Sequence, residues 1–394
     1  MGIFRSGKKT VEENGAAVVS AEAEPTAPTI AAGGRGAFAP IEDLLRLTVD
    51  SGASDLHLTV GTPPVLRVNG KLMRLETRAL FAEDTDKIAT ALANGEQIHK
   101  LRTEGNVDFA ISGSGQNRFR ISLYRQKQTT AIALRLLPRQ MLSYSQIGLP
   151  PIVKDIIRLP RGLVVVTGPT GSGKTTSLAA MLNEINEKIG HHIVTIEDPI
   201  EYVHEHKSGM VNQREVGTDV GSFADGLRRA LRQDPDVIFV GEMRDQETME
   251  IAIRAAETGH LVFSTLHTTG ASRTVDRIVA AFPAGQQEQV RVQLSTNLKG
   301  VISQLLIPRI DRPGRIAVFE VMTNTPAIAS LIRDNKTYRL ATEIQTGAKH
   351  GMNTIEQSLV DLYLAGVIAR EEVFGKAQDP ELVAQLLAGR EPRR

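Results

Sequence analysis

From Pro40 onward the chain carries two hydrophobic rhythms in succession. Ile41, Leu44, Leu45 and Val49 recur at helical spacing and predict a short amphipathic helix. Val65 to Val68, then Asn69-Gly70, then residues 71–75 read as a hairpin, because Asn-Gly supplies the two positive-φ positions of a type I′ turn. A helical stretch follows over residues 83–94, and residues 107–112 make a strand that ends in a Gly-Ser-Gly turn. In the run Arg118-Phe-Arg-Ile-Ser-Leu123, Phe119, Ile121 and Leu123 take one face, while Arg118 and Arg120 take the other. Residues 131–136 alternate in the same way, with Ile132, Leu134 and Leu136 opposite Arg135. These elements predict a compact α+β domain of about 100 residues.

The rhythm then changes. Pro138, Gly148, Pro150, Pro151 and Pro160 break it across residues 139–160, which read as a linker. Beyond the linker, short apolar runs alternate with helical stretches, the mark of a parallel sheet in an α/β fold. Residues 163–167, 193–196, 237–240 and 261–265 are the expected strands. Between them, residues 175–189 place Leu178, Met181, Leu182, Ile185 and Ile189 on one helical stripe closed by Gly190, and residues 248–258 form a helix stopped by Gly259. Past Ala284 helices are expected to predominate, with starts marked by Thr325-Pro326, by Thr354 with Gln357, and by Asp379-Pro380. Residues 1–39, with nine Ala and six Gly and little apolar periodicity, read as a disordered extension. The expected division is therefore 1–39 extension, 40–138 N-terminal domain, 139–160 linker, 161–290 α/β core and 291–394 helical C-terminal subdomain.

Composition narrows the function classes. In 394 residues, 46 Lys plus Arg stand against 45 Asp plus Glu, and aromatics are 4% with no Trp. A nucleic-acid-coating protein would carry a larger basic excess and stacking aromatics, so no nucleic-acid partner is expected. The absence of Cys removes disulfides, Cys-ligated zinc, iron–sulfur clusters and thiol catalysis. No apolar run approaches the roughly 18 residues of a membrane-spanning helix. The opening MGIFRSGKK leads into no apolar segment, so it is not read as a secretory signal. It matches a myristoylation pattern at only three fixed letters.

Chemistry concentrates after the first core strand. Gly168, Pro169, Thr170, Gly171, Ser172, Gly173, Lys174 and Thr175 fit G-x-x-x-x-G-K-[ST] at every fixed position, followed by Thr176. The motif leaves an apolar strand and opens a helix, where backbone N–H groups and the helix N-terminus cradle phosphate. Lys174 would reach the β and γ phosphates of ATP, and the Thr175 hydroxyl would ligate Mg²⁺. Ligands of open α/β sheets bind at strand carboxyl ends, and two acid sites fall there. One is Glu197, Asp198 and Glu201, which compete for the role of base; the other is Glu242. His260 and His267 flank residues 261–265, whereas His191, His192, His204 and His206 lack a carboxylate or Cys constellation and read as surface.

Residues 231–245, LRQDPDVIFVGEMRD, resemble the signature of the secretion-superfamily ATPases, with Glu242 as the Walker B acid. Residues 194–202 resemble that family's acidic box and residues 259–267 its histidine box, and the likeness is greatest to its type IV pilus retraction branch. Residues 327–334, AIASLIRD, resemble the retraction motif AIRNLIRE but carry Ala329, Ser330 and Asp334 where the motif has Arg, Asn and Glu. The resemblance implies a RecA-like P-loop core, a smaller PAS-like N-terminal domain and a homohexamer in which each N-terminal domain packs on a neighbouring core. It implies that Glu201 polarises the attacking water and that Glu242 holds Mg²⁺ through water. His260 and His267 would sense the γ-phosphate, and Arg120 and Arg135 would supply positive charge. The implied partners are an inner-membrane pilus platform protein and an assembly or paralogous retraction ATPase, met in the cytoplasm at the inner-membrane base of the pilus machine. Rival readings are an accessory or regulatory pilus ATPase paralogue and a type II or type IV secretion ATPase.

Overall fold

A computed structural model describes residues 40–113, 117–138 and 140–390; the extension expected over 1–39 lies outside the described residues. Helix α1 (Ile41–Asp50) leads into β1 (Asp55–Leu58), the hairpin β2 (Val65–Val68) and β3 (Lys71–Arg74), and helices α2 (Ala82–Leu92) and α3 (Gly95–Glu104). Three longer strands follow: β4 (Asn106–Ser112), β5 (Arg118–Gln126) and β6 (Thr129–Leu136). All pairings are antiparallel, in the order β3-β2-β1-β6-β5-β4. Asn69 and Gly70 both take positive φ, 48° and 81°, as the type I′ turn requires. Phe119, Ile121, Leu123, Ile132 and Leu134 pack with α1 and α2 on one face. Arg120 and Arg135 lie directly opposite each other on β5 and β6, on the other face. Strand β1 and helix α3 escaped the pattern analysis; DLHL is too short for alternation to show.

The stretch read as a linker carries two short helices, α4 (Tyr144–Ile147) and α5 (Val153–Ile156). Ile147, Val153, Ile156 and Ile157 are buried against one face of the second sheet. That sheet is built from β7 (Gly162–Thr167), α6 (Lys174–Lys188), β8 (His192–Glu197), β9 (Met210–Glu215), α7 (Phe223–Ala230), β10 (Val237–Val240), α8 (Gln246–Glu257) and β11 (Leu261–Leu266). Helices α9 (Ala271–Ala280) and α10 (Ala284–Asn297) precede β12 (Leu298–Pro308) and β13 (Arg315–Thr323). The order is β13-β12-β7-β11-β10-β8-β9, with every pairing parallel except β12–β13. Every residue of β7, β10 and β11 is buried, as expected when helices cover both faces of a parallel sheet.

Helices do predominate past Ala284, as α11 (Pro326–Arg333), α12 (Leu340–Thr346), α13 (Ile355–Leu364), α14 (Arg370–Lys376) and α15 (Pro380–Leu387) show. The β12–β13 hairpin is the departure: it extends the core sheet and carries α13–α15 on Ile307 and Val318. LKGVISQLLIP sets its apolar residues in short runs around Lys299, Ser303 and Gln304, with no clean period of two, so the pattern does not separate strand from buried helix. Pairing with β7 settles it. His204 also departs from expectation. It is 8% exposed rather than on the surface, because Tyr202 and His204 alternate inward along an extended segment.

Candidate functional site

Thr167 ends β7 and Lys174 opens α6, so residues 168–173 must reverse the chain in six positions. Gly168 has φ 143°, and a Cβ there would stand 2.2 Å from the Gln304 carbonyl oxygen on β12. Gly173 has φ 88° and immediately precedes α6. Only glycine fits both sites without strain. Pro169, Thr170 and Gly171 form the exposed crest, while Ser172 and Lys174 are buried behind it. The Lys174 ammonium donates to the carbonyl oxygens of Gly168 at 2.8 Å and Pro169 at 3.1 Å. Burial lowers the Lys174 pKa, and the charges of Glu242 and Glu201 act against that fall. No side-chain hydrogen bond occupies the Thr175 hydroxyl among the described residues, and Thr176 Oγ1 lies 2.9 Å from the Tyr202 hydroxyl.

The parallel register brings the acids to the same edge. Leu266 on β11 pairs with Thr167, and Val240 on β10 pairs with Ser264, so Glu242 continues level with Leu266 and with the start of the glycine loop. One strand separates β10 from β7, a backbone spacing of roughly 10 Å that side chains span. The Glu242 side chain is 15% exposed; Oε1 accepts from Arg244 at 2.5 Å, and Oε2 stands 3.6 Å from His267 Nε2. Among the described residues Glu242 Oε2 is enclosed without a hydrogen-bond partner. Thr265 Oγ1 donates to the Gly241 carbonyl at 2.6 Å and fixes the peptide just before the acid. A cavity of about 250 Å³ opens here, lined by Glu242, Arg244, Thr265, His267 and Arg277 among others.

At the end of β8 the three candidate acids separate by environment. Burial raises the Glu197 pKa to about 7, and its Oε1 is occupied by Thr195 Oγ1 at 2.6 Å and Gln213 Nε2 at 3.0 Å. Asp198 is exposed. Glu201 is half-buried, and it is the acid of the three whose charge acts on Lys174.

The histidines divide by strand direction. His267 follows β11 and reaches Glu242. His260 precedes the same strand: its carbonyl accepts from Gly162 N at the far edge of the sheet, and its Nδ1 lies 3.0 Å from the Ala255 carbonyl. Six strand residues at about 3.3 Å each separate it from the loop edge, so in the protomer His260 is not beside the glycine loop. Arg120 and Arg135 make no ion pair or hydrogen bond to the loop among the described residues. Arg135 instead donates to Asp55 Oδ1 at 2.8 Å. Burial pulls the Asp55 pKa upward, but hydrogen bonds from Arg135 and Ser54 outweigh it and hold the carboxyl below its ordinary value.

Several participants escaped the sequence reading. Gln304 crowds Gly173 and accepts from Ser177 Oγ at 2.8 Å, yet it lies far along the chain on a strand that the pattern did not reveal. Tyr202 closes the 194–202 segment that the sequence singled out, but its contact with Thr176 came only from the fold. No described helix is long and apolar enough to cross a membrane.

The family model described as "Type II/IV secretion system protein" matches residues 38–375. The chain is 46% identical to the type IV pilus retractation ATPase PilT of Pseudomonas aeruginosa, over 86% of this chain and 99% of that protein. It is 42% identical to the type IV pilus ATPase PilU of the same organism, over 85% of this chain and 88% of that one. A crystal structure of the pilus retraction motor PilT with bound ADP superposes with a TM-score of 0.82 at 46% identity, covering 88% of this chain and 100% of the other.

Proposed function

The chain belongs to the type II/IV secretion system protein family, and from that premise we propose that it is a ring-forming ATPase that drives retraction of type IV pili. The observation that carries the reading is the meeting, at the carboxyl edge of a parallel sheet, of a buried lysine with two glutamates from separate strands. The domain division that serves it is 40–138 as a PAS-like N-terminal domain, 139–160 as connection, and a RecA-like core that runs from residue 161 through the β12–β13 hairpin, which extends its sheet, before the C-terminal helices α11–α15. The six-stranded sheet ends at Leu136 and the parallel sheet begins at Gly162, in keeping with that division. Six copies form the ring, and the ring works from the cytoplasm against an inner-membrane platform protein.

Each step falls to a named group. The backbone of residues 168–173 receives the polyphosphate, and the Lys174 ammonium turns from the Gly168 and Pro169 carbonyls to the β and γ phosphates. Burial lowers the pKa of that ammonium, and the Glu242 and Glu201 charges oppose the fall. Glu201, half-buried at the mouth of the site, orients the attacking water and accepts its proton. His267 reports the γ-phosphate to Glu242 from the end of β11. Arg120 and Arg135 stand on the open face of the first sheet, where they offer positive charge to the site of a neighbouring subunit. The enclosed Glu242 Oε2 and the Thr175 hydroxyl, neither with a hydrogen-bond partner among the described residues, fit Mg²⁺, and Thr175 and Glu242 would hold it. Bound there, the ion supplies charge neutralisation of the β and γ oxygens.

The test is steady-state ATP hydrolysis by the full chain. Lys174→Ala and Glu201→Ala are each expected to lower kcat at least about a thousandfold, and Glu201→Ala alone should still bind ATP. Wild-type turnover in the Glu201 variant would move the base elsewhere. In cells, deletion should leave many surface pili and no twitching, whereas bald cells would mean assembly. A second reading rests on α11, where Ala329 and Ser330, both partly exposed, and Asp334, which is exposed, depart from the retraction motif. It makes the chain an accessory ATPase beside a principal motor, and predicts a deletion phenotype that appears only when retraction works under load.

A further inference from the structure

Strand β9 plays no part in gripping phosphate, yet two of its side chains bracket Glu201. Gln213 and Glu215 are two residues apart and therefore share a face of the strand. Gln213 Nε2 donates to the Tyr202 carbonyl at 2.8 Å, just after Glu201. Glu215 Oε2 accepts from the Ile200 backbone N–H at 3.1 Å, just before it. The backbone on both sides of Glu201 is thus pinned to one strand. The pinning strand is itself fixed, because Glu215 pairs with Glu197 in the β8–β9 register and the Val216 N–H donates to the Glu197 carbonyl at 2.8 Å.

The same Glu215 oxygen has a second partner. Arg118, at the start of β5 in the six-stranded sheet, donates to Oε2 at 3.2 Å. The Glu215 side chain is 8% exposed and that of Arg118 21%, so water screens the pair weakly. Among the described residues Arg118 Nε is enclosed with no hydrogen-bond partner, and the guanidinium is held through its bond to Glu215. One carboxylate oxygen therefore joins the first sheet to the peptide that precedes Glu201.

We propose that Glu215 is a positioning residue for Glu201, and that Arg118 couples its hold on that acid to the orientation of the six-stranded sheet. The inference rests on the functional reading above, in which Glu201 orients the attacking water. When the first sheet moves with respect to the core, Arg118 withdraws from Glu215 or advances on it. The carboxylate then shifts, and with it the Ile200 amide that sets where Glu201 points. Displacement of a catalytic group by about 1 Å costs on the order of a hundredfold in rate, so a small motion at this contact gates hydrolysis. Nucleotide binding by the glycine loop lies outside the linkage and is left intact.

The experiment compares ATP turnover and nucleotide affinity of the full chain with Arg118→Ala, Arg118→Lys, Glu215→Gln and the Arg118→Ala/Glu215→Gln double variant, each checked for folding by thermal melting. Glu215→Gln and Arg118→Ala should lower kcat by about ten- to a hundredfold with KM for ATP and the affinity for a fluorescent ATP analogue unchanged. Arg118→Lys, which keeps the charge, should recover part of the loss. The double variant should lose little more than the worse single one, since both act through one contact. Folded variants with wild-type kcat overturn the proposal, as do losses that multiply in the double variant or fall on KM. Lysine no better than alanine at position 118 also overturns the coupling. A wild-type chain without ATPase activity sinks the functional reading and this proposal together; normal wild-type activity with unaffected variants sinks this proposal alone.

Discussion

Along β7, β10 and β11 of the parallel sheet every residue is buried, whereas along β4 and β5 of the antiparallel sheet burial is repeatedly interrupted by open positions. The cause is coverage. Helices lie on both faces of the first kind of sheet, and the second keeps one face free of apolar packing. The consequence is a difference in where chemistry can sit. A charged side chain in the middle of β7 would be buried without a partner, so the core confines Glu201, Glu242 and His267 to the loops beyond its strands and Lys174 to the first turn of α6. The six-stranded sheet can carry arginines within its strands, and Arg118, Arg120 and Arg135 all stand there.

Three substitutions put that contrast at risk, in falling order of effect. Arg120→Ala should lower kcat by about a thousandfold while leaving unfolding free energy within about 0.5 kcal/mol of wild type. ATPase assays beside urea melts would decide it, and a large loss of stability would mean that the open face is structural. Val164→Ala, in the middle of β7, should do the reverse: about 2 kcal/mol of stability lost in urea titration, with kcat at a permissive temperature near wild type.

Glu197→Gln is the smallest, and pH makes it visible. In the open-faced sheet Asp55 has Arg135 and Ser54 to hold its carboxyl low, but at the edge of the core Glu197 has only neutral donors. Burial lifts it from 4.5 to about 7, so the native state holds the proton more tightly than the unfolded chain does. Its contribution to stability is whole below about pH 4.5 and is withdrawn as pH rises through about 7. Glutamine keeps the two hydrogen bonds and has no proton to lose. Its melting temperature should therefore exceed wild type by a few degrees at pH 8, with the margin closing toward pH 5. An equal margin at every pH would mean that Glu197 does not titrate in this range.

Much of the fold was legible because its rules are local. Alternation in residues 118–123 placed Phe119, Ile121 and Leu123 inside and Arg120 outside, and Asn69-Gly70 specified a turn without reference to any other segment. Where pattern is ambiguous or short, as in LKGVISQLLIP and DLHL, partner strands made the decision. Residues 139–160 looked like a connector because their prolines and glycines dominate the local signal; Val153 and Ile156 nonetheless find a hydrophobic surface on the sheet.

The eight consecutive residues from Gly168 to Thr175 specified a glycine-rich turn between strand and helix from the chain alone, since a turn of that kind depends on backbone freedom and near neighbours. Which groups would face it was a matter of strand order. Parallel register carried Glu242 and His267 to the loop's edge and His260 to the opposite one, although the two histidines look equivalent in the sequence. Gln304 closed on Gly173, and Glu215 on Ile200, only because β12 lies beside β7 and β9 beside β8. Those adjacencies follow from burying both faces of the sheet at once, a free energy summed over distant segments that no short window of residues contains.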